Sequence, residues 1–114
     1  MTKDPLLLIG HILEAIDLIQ NYTKDKQKSE FLGSRELQDA VIRRIAIIGE
    51  AIRNFSPAVL NQYPALEWKA MVAMRNILIH DYEGVHMERV WKVVTREIAP
   101  LKRLMLRIKH DLEK

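Results

Sequence analysis

The sequence predicts an all-α fold, an up-and-down bundle of four main helices with one short helical turn. Three observations carry that prediction. Breakers are scarce, with four Gly and four Pro in 114 residues, too few for a fold of many short strands. Apolar residues recur at three- and four-residue spacing over long stretches. The punctuation between stretches is of the helix-start type, with Asp4-Pro5, Ser34 and Ser56-Pro57 each preceding an apolar run.

In chain order, Asp4 caps a first helix with Pro5 at its first position, where a missing N–H costs nothing. Its stripe is Leu6, Ile9, Leu13, Ile16 and Ile19, and it fades between Tyr22 and Asp25. Thr23 to Glu30 is polar without periodicity and reads as a loop. A second helix starts at Ser34 and runs to about Asn54, with Leu37, Val41, Ile45, Ile48, Ile52 and Phe55 as its stripe. Ile42, Ala46, Ile47 and Ala51 widen that stripe beyond one face. A helix apolar on nearly all sides is buried on more than one side. In so small a domain a second subunit is expected to cover the extra face. Ser56-Pro57 opens a short turn ending near Tyr63-Pro64. A third helix is expected from about Ala65 to His80, stopped by Gly84. A fourth begins at His86 to Glu88 with Val90, Val94, Ile98, Leu101, Met105, Ile108 and Leu112 as its stripe. Pro100 should kink or break it.

Length suits a single domain over residues 1–114. Hydrophobic residues are 48% and charged residues 29%, a globular balance that excludes a disordered chain. Cysteine is absent, which excludes disulfides and thiolate metal sites. The net charge of +3 permits an anionic partner such as RNA without demanding one. The apolar run Leu6 to Ile9 is too short for a signal peptide or membrane span. A cytoplasmic protein, making no membrane contact, is the expectation.

Polar groups of several kinds gather in Arg75-Asn76-Ile77-Leu78-Ile79-His80-Asp81-Tyr82. The Arg75 guanidinium offers a fork suited to phosphate, or an ordinary surface ion pair. His80 titrates near neutral pH, or simply sits in a last helical turn favoured by the dipole. Tyr82 offers a phenol that bonds phosphate or accepts a modification, or packs over the helix end. At about 100° per residue, Arg75 and Tyr82 share a face, but Arg75 and His80 differ by about 140°. Either the backbone leaves the helix near His80, or a second copy completes the site. Glu50 lies in the most apolar run, where a buried carboxylate needs a partner. Arg75, Asn76 or a backbone group would make it part of the site, whereas Arg53 or a lysine would make it structural. Arg43 and Arg44 could line a cleft and meet RNA phosphates, or mark a solvated helix edge. His11, His86 and His110 have no metal-ligand spacing, and no Gly-rich phosphate loop is present, so neither a metal nor a cofactor is expected. The basic residues Arg89, Lys92, Arg96, Lys102, Arg103, Arg107 and Lys109 line the outer face of the fourth helix, read first as solvated and second as attracting RNA.

The run Arg75-(four residues)-His80-Asp81-Tyr82 resembles the R-x-x-x-x-H-x-Y signature of HEPN-domain proteins, more narrowly ribonuclease toxins of the HepT type. Asn76, Gly49-Glu50-Ala51, Trp68, Val90-Trp91 and Ile98-Ala99-Pro100-Leu101 are similar to that subfamily as well, so the likeness covers nearly the whole chain. Ala73 stands where glycine is expected. The resemblance implies a HEPN-like bundle that forms a homodimer with two signatures facing one cleft. It implies metal-independent endoribonuclease action by attack of the ribose 2′-hydroxyl on phosphorus. His80 would be general acid or base and Arg75 the stabiliser of phosphorane charge, with Asn76 and Glu50 in support. It further implies a cognate nucleotidyltransferase antitoxin of the MntA type, which attaches AMP to Tyr82. The alternative in another class is a non-catalytic helical HEPN module that binds nucleotides or assists a partner nucleotidyltransferase.

Overall fold

A computed structural model describes residues 4–64 and 87–114, and these are helical with no strand among them. Helix α1 spans Pro5–Thr23, α2 Lys28–Leu32, α3 Arg35–Arg53, α4 Pro57–Gln62, α5 Met87–Lys92 and α6 Ile98–Leu112. A π-helical turn, Val93–Glu97, joins α5 to α6. The expected third main helix, with Trp68, Ala73, Arg75, Asn76, His80 and Tyr82, lies outside the described residues.

The helix starts predicted at Asp4, Ser34 and Ser56 are observed. The Asp4 carboxylate accepts from the Leu6 N–H at 2.9 Å, Ser34 Oγ from the Leu37 N–H at 3.1 Å, and Ser56 Oγ from the Val59 N–H at 3.3 Å. Each satisfies one of the donors that a helix N-terminus leaves without an intrahelical acceptor.

Helix α1 packs along α3 and against α6. The core they share holds Ile9, Ile12, Ile16 and Ile19 of α1, Val41, Ile45, Ile48 and Ile52 of α3, and Ile98, Met105 and Ile108 of α6. The stripe on α1 differs from the expected one. Leu8, Ile12 and Ala15 are buried, Leu13 is half-buried and Leu6 is exposed. The buried set is centred near Ile12, and Leu6 sits more than a quarter-turn away from it. On α3 the expected stripe is buried except Leu37, which is half-buried, and Ile42 and Ala51 join it.

Two expectations are modified for identifiable reasons. The span Thr23 to Glu30 is not all loop, because α2 begins at Lys28. Glu30 and Gln27 form a reciprocal capping box, with Glu30 accepting from the Gln27 N–H at 3.1 Å. The other end is held by Gln38, whose amide donates to the Phe31 and Leu32 carbonyls at 3.1 and 3.0 Å. A five-residue helix is too short to show periodicity and stands here because tertiary partners cap it. Pro100 does not break the last helix. Its ring removes the N–H that would bond the Arg96 carbonyl, and the preceding backbone has widened into the π turn. There the Ile98 N–H donates to the Val93 carbonyl five residues back. The same turn changes the register, so Val93 is buried and Val94 half-buried.

Candidate functional site

Of the residues marked for chemistry, Arg75, Asn76, His80 and Tyr82 lie outside the described residues, and Glu50, Arg43 and Arg44 lie within them. Glu50 corrects the expectation of a buried carboxylate. Its residue is exposed on α3, although its neighbours Gly49 and Ala51 are buried. The reason is helical phase. Glu50 lies two turns from Arg43, which is also exposed, and both face away from the Ile45–Ile48–Ile52 stripe. Its carbonyl accepts from the Asn54 side-chain amide at 2.8 Å, which finishes α3. Arg44, about 100° round from Arg43, is half-buried.

The apolar run that suggested a second subunit is largely consumed inside one chain. Val41, Ile42, Ile45, Ile48, Ala51 and Ile52 are buried by its own elements. What α3 leaves outside is a narrow stripe of Asp39, Arg43, Glu50 and Arg53, with Ala46 and Ile47 half-buried between them.

The described elements fix both flanks of the signature stretch in sequence. Before it, Tyr63 ends α4, is buried, and donates its hydroxyl to Asp111 of α6 at 2.7 Å. That hydrogen bond raises the Tyr63 pKa above its ordinary value of 10.0. Burial and the Asp111 charge push the same way, and the Arg107 charge opposes them. After it, Trp91 of α5 stacks on the fully buried Phe31 of α2, with ring centroids 5.2 Å apart and planes tilted by 31°. Lys28 and Glu88 pair at 3.5 Å across the same two helices. Sequence reasoning missed Phe31, Gln38 and the Tyr63–Asp111 pair. An isolated aromatic after a polar run was the only available signal for the first. The 48-residue separation of Tyr63 and Asp111 left none for the last.

An open groove of about 600 Å³ runs between the end of α1 and the start of α3, lined by Tyr22, Lys26, Glu30, Gly33, Glu36 and Leu37 among others. Of the expected site residues that are described, Glu50, Arg43 and Arg44 do not line it, and its Lys26 and Glu30 face each other at 3.9 Å. Among the described residues, no group of three or more His, Asp or Glu side chains could hold a metal ion. No described helix is long and apolar enough to cross a membrane.

Comparison with known proteins decides the family. The model of the ribonuclease HepT-like family matches residues 12–108, from within α1 to within α6 and including the signature stretch. The chain belongs to the ribonuclease HepT-like family. Among its relatives, a Methanocaldococcus jannaschii protein named for a gamma-glutamylcyclotransferase and a candidate RNase is 47% identical over 114 residues. The match covers 100% of this chain and 51% of that protein, so the chain spans about half the relative's length. A second protein of that organism, named as a candidate RNase, is 37% identical over 111 residues, covering 97% of this chain and 96% of its own. A Thermococcus cleftensis protein named as a candidate ribonuclease HepT is 41% identical over 91 residues, 80% of this chain and 83% of its own. No solved structure matches the chain.

Proposed function

We propose that this HepT-like protein is an endoribonuclease of the cytoplasm that cleaves RNA without a metal, through Arg75 and His80, as the toxin of a toxin–antitoxin pair. The carrying observation is the match to a ribonuclease family over residues 12–108, together with Arg75, His80 and Tyr82 standing in the sequence at signature spacing. His80 serves as general base toward the ribose 2′-hydroxyl or as general acid toward the leaving oxygen. Arg75 carries the charge that develops on the phosphorane, and Asn76 orients a phosphate. Two copies supply two histidines, one for each proton transfer, and remove the mismatch of about 140° between Arg75 and His80 on one helix.

The exposed stripe of α3 supports the second copy. Its charges run Asp39 negative, Arg43 positive, Glu50 negative, Arg53 positive, with Ala46 and Ile47 at the centre. An antiparallel α3 of a second copy sets Arg43 against the partner's Glu50 and Asp39 against the partner's Arg53. That is the self-complementarity a twofold contact requires. In this arrangement Glu50 supports the site through the dimer.

A nucleotidyltransferase antitoxin that attaches AMP to Tyr82 would place a bulky anion within two residues of His80, filling the site and cancelling its positive field. Expression of the chain alone in a bacterial host tests the reading. Growth arrest with RNA breakdown is expected, and His80→Ala abolishes both. Persistent RNA cleavage by that variant refutes the catalytic assignment. Harmless wild-type expression favours the non-catalytic module that binds nucleotides or assists a nucleotidyltransferase. Mass spectrometry after co-expression with a nucleotidyltransferase of the MntA type should find AMP on Tyr82 and none in Tyr82→Phe.

A further inference from the structure

The net charge of this protein is carried by its last helical stretch. Residues 87–114 hold eight Lys plus Arg against four Asp plus Glu, whereas residues 1–86 hold ten against eleven. The structure then sorts these charges by direction. Two of the four acids pair with other elements, Glu88 with Lys28 of α2 at 3.5 Å on the surface and Asp111 with the Tyr63 hydroxyl at 2.7 Å, while Glu97 is half-buried and Glu113 exposed. Lys102 likewise turns to Asp17 and Gln20 of α1, at 2.9 and 3.4 Å. Arg89, Lys92, Arg96, Arg103 and Arg107 are left exposed on the outside, and among the described residues none of the five forms an ion pair. On a regular helix they fall within about 60° of one another. The π turn Val93–Glu97 widens that stripe without burying any of them. From Arg89 to Arg107 it runs about 27 Å along the helix.

We propose that this ridge is an RNA-binding surface outside the signature stretch, which holds the phosphate backbone of a single strand. The proposal rests on the ribonuclease reading for its choice of RNA as the polyanion. Four of the five residues are arginine, whose planar fork grips phosphate oxygens in pairs. A row of like charges repels itself in the free protein, and a polyanion relieves that repulsion. Contacts made to phosphate oxygens position a strand without reading its sequence.

The test uses the full chain in the His80→Ala background, a fluorescein-labelled 20-nucleotide oligouridylate as probe, and fluorescence anisotropy across salt concentrations. Each phosphate contact contributes about 0.7 to the slope of log affinity against log salt for single strands. The triple variant Arg96→Gln, Arg103→Gln, Arg107→Gln should therefore lower the slope by about 2. Between 50 and 200 mM salt, the parent should lose about 20-fold more affinity than the variant. Circular dichroism should show the variant as helical as its parent, since all three side chains are exposed. With His80 restored, cleavage of the 20-mer should acquire a higher KM in the triple variant. Equal slopes and equal affinities for the 20-mer overturn the ridge, and would leave it to an acidic protein surface or to solvent. Absence of RNA cleavage by the wild type would refute the ribonuclease reading, while the anisotropy slopes would still decide the ridge.

Discussion

Replacing Phe31 by alanine should unhinge α2 from α5 at a cost that the structure sets. Phe31 is fully buried and contacts Trp91 with centroids 5.2 Å apart. Truncating a buried phenylalanine costs about 3–5 kcal/mol in lost transfer energy and cavity. About 0.5–1.5 kcal/mol of that belongs to the ring pair itself. Against a total stability of about 5–15 kcal/mol, such a loss is large, and at about 4 °C per kcal/mol for this size it lowers Tm by about 15 °C. Urea denaturation followed by circular dichroism measures the cost, at one fixed chain concentration because any self-association shifts the midpoint. A double-mutant cycle with Trp91→Ala isolates the ring coupling. A cost under about 1 kcal/mol for Phe31→Ala, with no coupling to Trp91, would show that α2 is not docked through this pair and would refute the packing argument.

Gln38→Ala should cost about 1 kcal/mol, because the Leu32 carbonyl loses its side-chain donor and the Phe31 carbonyl keeps only backbone ones. Amide exchange should quicken in Phe31 to Ser34 before it does in α3. Tyr63→Phe removes the hydrogen bond to Asp111 and should lower stability. The Tyr63 pKa is raised in the folded state, so the folded chain favours the neutral phenol. That contribution is full below the ordinary tyrosine pKa of about 10, and it is lost as pH rises through the folded value. The stability gap between wild type and Tyr63→Phe should be constant from neutral pH to about 9 and close above 10. Arg43→Glu should weaken the proposed dimer at least tenfold in sedimentation, and Arg43→Glu with Glu50→Arg should restore it. A chain that is monomeric by light scattering at tens of micromolar would sink the interface.

Much of the fold was legible in the sequence because the informative signals are local. Asp4, Ser34 and Ser56 mark helix starts through hydrogen bonds to residues two or three positions away, and Ile9, Ile16 and Ile19 repeat with the helical period. The signature at Arg75, His80 and Tyr82 was legible for the same reason, as a spacing, and it led to the family. What the sequence alone could not decide depends on contacts between distant residues or on helical phase. Leu6 looked like core and Glu50 looked buried, since an apolar neighbourhood in sequence does not say which side of a helix faces inward. Helix α2 needed Gln38 to cap its end and Trp91 to cover Phe31, and neither is adjacent to it. Pro100 looked like a break, yet the packing of Ile98, Leu101 and Met105 against the core holds the helix together through a π turn. The charges of residues 87–114 could be counted from the sequence. Only the tertiary structure decided that Glu88, Asp111 and Lys102 turn to other elements and leave a row of cations outside.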